Sequence, residues 1–351
     1  MNFQSLVKKV GFGNKSYFML PTLSNESSVL ISGHSFDNTK IVQRIEKITS
    51  RPVKHIRIGE ERRFPNKIPE ISTKIYKDNI RLVFVVGGGT IIDFAKIIYQ
   101  RLKYLNKNHK MELYILPSRI GSGAECSITS IINTKNGKVV NVNHDFLPDG
   151  VIYDFDLFKN LNSKEIYLGS IDALCHCLES MTSRNKNPYL NYFSINAIKY
   201  FLDKINNHEI DTKNIMPKEL LVEYSILSFN GGIAQNNAGS GICHALSHSV
   251  EEMTGFKHAE CICLFFMPLI HYLSKIDDGL QIIINDELLN YIFKVRKNAL
   301  EKNKITHFKE LFSDKNIINS IVNNSMDDPC WRLFFKKINI TDLKEYLYKN
   351  L

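Results

Sequence analysis

Short apolar runs separated by polar turns fill the first 160 residues, and helical periodicity fills the rest. The runs Val29–Ser32, Val53–Ile58, Leu82–Val86, Leu113–Leu116 and Val151–Tyr153 are rich in β-branched and aromatic residues and predict strands. Between the third and fourth, Ile91–Leu105 repeats its apolar residues every three or four positions, as a packed helix does. Such alternation predicts an α/β domain with a doubly wound, mostly parallel, Rossmann-like sheet over residues 1–162. From Ser163 the strand signals fade. Lys164–Ser183, Tyr189–Asn206, Pro217–Asn230, Ser240–Met253 and Cys261–Ser274 read as helices, and so does the last 60-residue stretch. An all-helical domain is expected over residues 163–351.

Two turns in the first half suit a dinucleotide. Leu82–Val86 runs into Gly87-Gly88-Gly89-Thr90, with Asp93 beyond, and then into the predicted helix. Glycines let the backbone approach a phosphate, while free N–H groups and the helix dipole attract it. The motif is neither GxGxxG nor a Walker A loop, and glycine turns also serve close packing alone. The loop Pro117-Ser118-Arg119-Ile120-Gly121-Ser122-Gly123 follows the fourth strand and suits the nicotinamide side. Alone, it reads equally well as an ordinary strand-to-helix turn.

The second half carries candidate metal ligands. Asp172 and His176, and likewise His244 and His248, are spaced i, i+4, which puts each pair on one helix face. His258 follows ten residues after His248, so three of the eleven histidines fall within fifteen residues. One carboxylate with several imidazoles suits a borderline cation, Fe(II) or Zn(II).

Composition narrows the class. Hydrophobic content of 44% and charged content of 23% are ordinary for a soluble globular chain. No apolar run is long enough to span a bilayer, and residues 1–20 lack a signal-peptide pattern, so a cytoplasmic location without a membrane partner is expected. Seven cysteines without a CxxC pair point to packed, reduced thiols. The net charge of +9 comes from scattered lysines with no aromatic-interleaved stripe, which excludes nucleic acid as the expected partner. An anionic substrate or cofactor would gain from that field. A homodimer is the expected assembly.

Taken in order, GGGTIID, PSRIGSGAE, Pro148-Asp149 leading to Tyr153-Asp154, DALCHCLES and CHALSH with a following KHA resemble the iron-containing (group III) alcohol dehydrogenases from about residue 28 to 270. The resemblance implies a dehydroquinate synthase-like fold with the metal in the cleft between the two domains. It implies Asp172, His176, His244 and His258 as ligands and His248 as a proton relay near the nicotinamide. NAD or NADP would lie along Gly33, Gly87, Gly88, Gly89, Thr90, Asp93, Ser118, Arg119 and Ser122. The implied reaction is hydride transfer between nicotinamide and a small alcohol or aldehyde.

Departures bear on the substrate. Ser118 and Arg119 stand where the family usually has two threonines, Ala124 replaces a serine, and Ala259 replaces a glycine. Arg119 suits a cofactor phosphate or an anionic substrate, such as a phosphorylated or phosphonate-bearing aldehyde. No carboxylate follows the first predicted strand until Asp37, which leans the cofactor toward NADP. Polyol or sugar-phosphate dehydrogenases and dehydroquinate synthase-like cyclases share the fold but generally lack the histidine four residues after the acidic ligand. A nucleotide- and metal-binding protein without redox turnover is the remaining alternative.

Overall fold

The computed structural model describes residues 7–19, 26–34, 36–37, 39–59, 65–76, 80–106, 110–134, 137–159, 161–206, 208–281, 283–334 and 338–351. The described residues divide into two compact units, one within 5–161 and one within 162–351.

In the first unit, strands β1 (Val10–Phe12), β2 (Ser28–Gly33), β3 (Lys54–Ile58), β4 (Leu82–Gly87) and β5 (Glu112–Pro117) are joined by the hairpin β6 (Thr129–Thr134) and β7 (Gly137–Val142), and then by β8 (Gly150–Tyr153). Six strands form one sheet in the order β1-β8-β5-β4-β2-β3, with every pair parallel. Helices α1 (Thr39–Thr49), α2 (Ile68–Tyr76) and α3 (Gly89–Leu105) cover it. Alternate residues of each strand serve opposite faces. Val83, Val85, Leu113 and Ile115 pack with Ile75, Phe94 and Ile98, whereas Leu82, Phe84, Val86 and Tyr114 pack with Ile41 and Ile45. Burial on both faces explains why β4 reads as a continuous apolar run.

Register decides where the loops emerge. Ser32 pairs with Val86, and Gly87 pairs with Pro117. The turns after β2, β4 and β5 therefore leave the carboxyl edge side by side, the place where open parallel sheets bind ligands. The sequence pattern did not predict β1 or the β6–β7 hairpin. The first is three residues long, and the second exposes Ile131, Val139, Val140 and Val142, which blurs its alternation.

The second unit is helical: α4 (Ser163–Met181), α5 (Pro188–Ile205), α6 (Lys218–Ala238), α7 (Ile242–Thr254), α8 (His258–Ser274), α9 (Asp278–Gln281), α10 (Asp286–Ala299), α11 (Lys302–Ser313), α12 (Lys315–Met326), α13 (Pro329–Leu333) and α14 (Ile340–Asn350). Helix α4 is buried along nearly its whole length, so its polar residues are enclosed as well. A Cβ on Gly231 of α6 would stand 2.8 Å from the carbonyl oxygen of Ala173, so glycine permits this close crossing. Gly255 ends α7 at φ +68°, and α8 starts at His258, three residues earlier than its apolar pattern predicts. The Glu260 carboxylate accepts from the Lys257 N–H there (3.1 Å) and secures the earlier start. Among the described residues no helix is long and apolar enough to cross a membrane.

Candidate metal centre and glycine turns

Three helices of the second unit bring the candidate ligands together. Helix α4 places Asp172 and His176 one turn apart, α7 supplies His244, and α8 opens with His258. Their ring nitrogens converge on one atom. Nε2 of His244, His258 and His176 lies 3.3, 3.6 and 3.7 Å from Oδ1 of Asp172. Asp172, His176 and His244 are buried, whereas the His258 side chain is 35% exposed and leaves the cluster open on that side.

His176 tests whether a metal fits. Both of its ring nitrogens are buried and, among the described residues, neither has a hydrogen-bond partner. An imidazole buried that way is costly unless a bound group engages it. One carboxylate and three imidazole nitrogens facing a common point are a donor set for Fe(II) or Zn(II). The residues fit a divalent cation.

Two carboxylates stand behind the histidines. Glu179 accepts from His244 Nδ1 at 2.6 Å and from the backbone N–H groups of Gly241 and Cys243, each at 2.6 Å. One buried side chain thus caps the start of α7 and turns His244 Nε2 toward Asp172. Glu251 likewise orients His258, through its Nδ1. Burial opposes the charges of Asp172 and Glu179, but the facing imidazoles hold both carboxyls below their ordinary range. Burial pushes His176 down to about 4. Burial also opposes charge on His244 and His258, yet the surrounding carboxylates win, raising His244 to about 9 and His258 as well. The carboxylates of Asp172, Glu179 and Glu251 gathered against these imidazoles would favour a bound cation.

His248 stands at the edge of the cluster. Its ring stacks on His258 with centroids 5.4 Å apart, and its Nδ1 bonds Asp328 Oδ2 at 2.8 Å. Burial would raise Asp328, but His248 and the hydrogen bonds from Cys330 together outweigh it and take Asp328 down to about 2. An ionised Asp328 accepts the Nδ1 proton and leaves Nε2 as the working nitrogen.

In the first unit, the two turns lie on each other. Gly88 caps α3 in an extended conformation, Gly89 opens the helix, and Thr90 is exposed. Ser118 N–H donates to Gly87 O at 2.9 Å. A Cβ on Gly87 would come within 2.5 Å of Ile91. A Cβ on Gly88 would meet Arg119 Cδ at 3.1 Å, and one on Gly89 would meet Ser122 Oγ at 3.3 Å. The aliphatic stem of Arg119 therefore covers the glycine turn. Gly33 ends β2 with Ile91 in ordinary contact; Ser35, just beyond, lies outside the described residues. Asp93 is buried one helical turn below the glycines, beside Lys96 and the backbone of Ile131. Burial raises it to about 6 despite the lysine.

Several supporting residues escape a reading based on spacing. Lys96, fully enclosed, donates to the carbonyls of Ser127 and Thr129, each at 2.8 Å, and so ties α3 to the segment after the second turn. Tyr153 donates to Glu125 nearby at 2.6 Å. Charges inside apolar helices are the signal that could have marked Lys96 and Glu179. Nothing local marks Asp328, eighty residues beyond His248.

Comparison with known proteins agrees on one family. Residues 8–155 match the profile described as iron-containing alcohol dehydrogenase, and residues 166–350 match the Fe-containing alcohol dehydrogenase family, C-terminal. The chain is 30% identical over 228 residues to a 4-hydroxybutyrate dehydrogenase of Clostridium kluyveri, a match spanning 61% of this chain and 60% of that relative. It is 22% identical to an NADPH-dependent butanol dehydrogenase of Clostridium saccharobutylicum over 75% and 74% of the two chains. In fold it resembles a sulfoacetaldehyde reductase of Bifidobacterium kashiwanohense solved with NAD+, with TM-score 0.79, 17% identity and complete coverage of both chains.

Proposed function

The chain belongs to the iron-containing alcohol dehydrogenase family, and from that premise we propose that it is a metal-dependent, nicotinamide-linked aldehyde reductase or alcohol dehydrogenase. The observation that carries this reading is the convergence of three imidazole nitrogens on Asp172 Oδ1, with His176 making no hydrogen bond among the described residues. Asp172, His176, His244 and His258 would hold Fe(II), or Zn(II), which supplies Lewis acidity to a carbonyl oxygen. The nicotinamide supplies the hydride.

The chain's own residues do the rest. Free N–H groups at Gly88, Gly89 and Thr90 bind the pyrophosphate, with Ser118, Arg119 and Ser122 closing over it from the second turn and Gly33 leaving room beside β2. Asp93 and Lys96 brace the turn from below. Glu179 and Glu251 keep His244 and His258 in the tautomer that presents Nε2 to the metal. In aldehyde reduction His248 would supply a proton from Nε2 to the substrate oxygen, with Asp328 fixing its ring. A carboxylate-free region after β2 favours NADP, consistent with the name of the butanol dehydrogenase relative.

The substrate class is a small aldehyde with an anionic end. One relative is named for 4-hydroxybutyrate, the alcohol form of such an aldehyde, one structural neighbour is named for sulfoacetaldehyde, and the chain offers Arg119 and a net charge of +9. Anaerobically purified protein with Fe(II) or Zn(II) should oxidise NADPH in the presence of 4-oxobutanoate or sulfoacetaldehyde faster than with butanal. Equal rates on butanal would overturn the anionic class. Bound metal and nucleotide without turnover on any aldehyde would overturn the redox reading. Asp172→Ala and His258→Ala should each lose the metal and all turnover. His248→Ala should keep the metal and slow turnover by about a hundredfold, as loss of a general acid does.

A further inference from the structure

A second cavity opens inside the helical unit, about 20 Å along α8 from His258 at 1.5 Å per residue. Its volume is about 640 Å³, inside the range of roughly 300–1,000 Å³ common for small-molecule sites. Its walls include His271 and Lys275 at the end of α8, Phe293 and Arg296 of α10, Lys309 of α11 and Tyr346 of α14. Among the described residues no aspartate or glutamate lines it, and Asn350 and Leu351 complete one wall.

Arg296 sets this cavity apart from an ordinary basic surface. It is half-buried, and among the described residues neither a hydrogen bond nor an ion pair engages its guanidinium. Burial lowers its pKa, with only the Cys263 thiol acting the other way. Comparable cations elsewhere are satisfied. Arg44 bridges Asp154 and Asp156, Lys96 has three oxygens, and Lys304 reaches both oxygens of Glu260. Leaving a desolvated cation unpaired is costly. Helix dipoles account for bases at the ends of α8 and α10, but not for Lys309 or for the cavity between them. Phe293, 52% exposed, and Tyr346, with Lys275 Nζ 5.3 Å over its ring, give the wall an apolar side.

We propose that this cavity is an anion site for a phosphate-bearing small molecule, separate from the candidate metal centre. Arg296 is its forked anchor and Lys309 and Lys275 are supporting charges, with the His271 ring beside them. The test is calorimetric titration of inorganic pyrophosphate into the whole chain, comparing wild type with Arg296→Gln and Lys309→Gln. The wild type should bind, and each variant should bind about tenfold more weakly, as expected when one charge-assisted hydrogen bond is lost. Lys309 is exposed, so its variant keeps the fold even if Arg296→Gln does not. No binding to wild type overturns the proposal. So does equal affinity in wild type and Lys309→Gln, which would place the anion elsewhere, at the glycine turn for example.

Discussion

At the scale of single residues, Glu179 links the candidate ligand cluster to the backbone. Its two oxygens take His244 Nδ1 and two N–H groups at the start of α7, so one carboxylate both caps a helix and aims a ligand. Glu179→Gln keeps the shape but presents a donor where an acceptor is needed. Metal affinity should fall by 10- to 100-fold, roughly the cost of losing a partner behind a metal ligand. Competition with a chromogenic chelator measures it, and an unchanged affinity would remove Glu179 from this role. Asp172, His176, His244 and His248 were legible as candidates because their i, i+4 spacing is a local property of helices. Glu251 and Asp328 were not, because their roles depend on where neighbouring helices end.

Elements answer to packing more than to propensity. Helix α4 carries Asp172 and His176 on either side of Ala173, and Gly231 of α6 crosses there at backbone contact. Gly231→Ala would push the two helices apart. Overpacking of this kind costs about 1–3 kcal/mol, read as a lower urea midpoint. The shift should also loosen metal retention, since it displaces the segment that holds two ligands. In the α/β unit, Asp156 follows β8 and pairs with Arg44 of α1 and with Lys159. Burial works against its charge, yet hydrogen bonds from Lys159 and Arg44 hold it at about 2 against an ordinary 3.8. A carboxyl lowered on folding stabilises above its unfolded pKa and loses that contribution as pH falls through its folded one. The α/β unit should therefore weaken between about pH 4 and 2. Arg44→Met should flatten this dependence in acid-unfolding curves.

For the whole molecule, the metal ligands all belong to one compact unit and the glycine turns to the other. Cation binding should therefore stabilise the helical unit alone. At a thousandfold excess over Kd a ligand adds about 4 kcal/mol to the state that binds it. Calorimetry before and after chelation should show the transition of the helical unit move to lower temperature while that of the α/β unit stays in place. Equal shifts in both, or none, would count against a metal site confined to α4, α7 and α8.

What the sequence determined by itself is local and periodic. The strands β2, β4, β5 and β8 are visible because burial on both faces makes them continuous apolar runs, and the ligand pairs because a helix repeats every 3.6 residues. Tertiary structure decided the rest. Strand register set Gly33, Gly87 and Pro117 at one sheet edge, and helix crossings brought His258 Nε2 to Asp172. It also enclosed Lys96 and, among the described residues, left the Arg296 guanidinium without a hydrogen bond or ion pair. A side chain's surroundings depend on segments tens of residues away, and no window along the chain contains them.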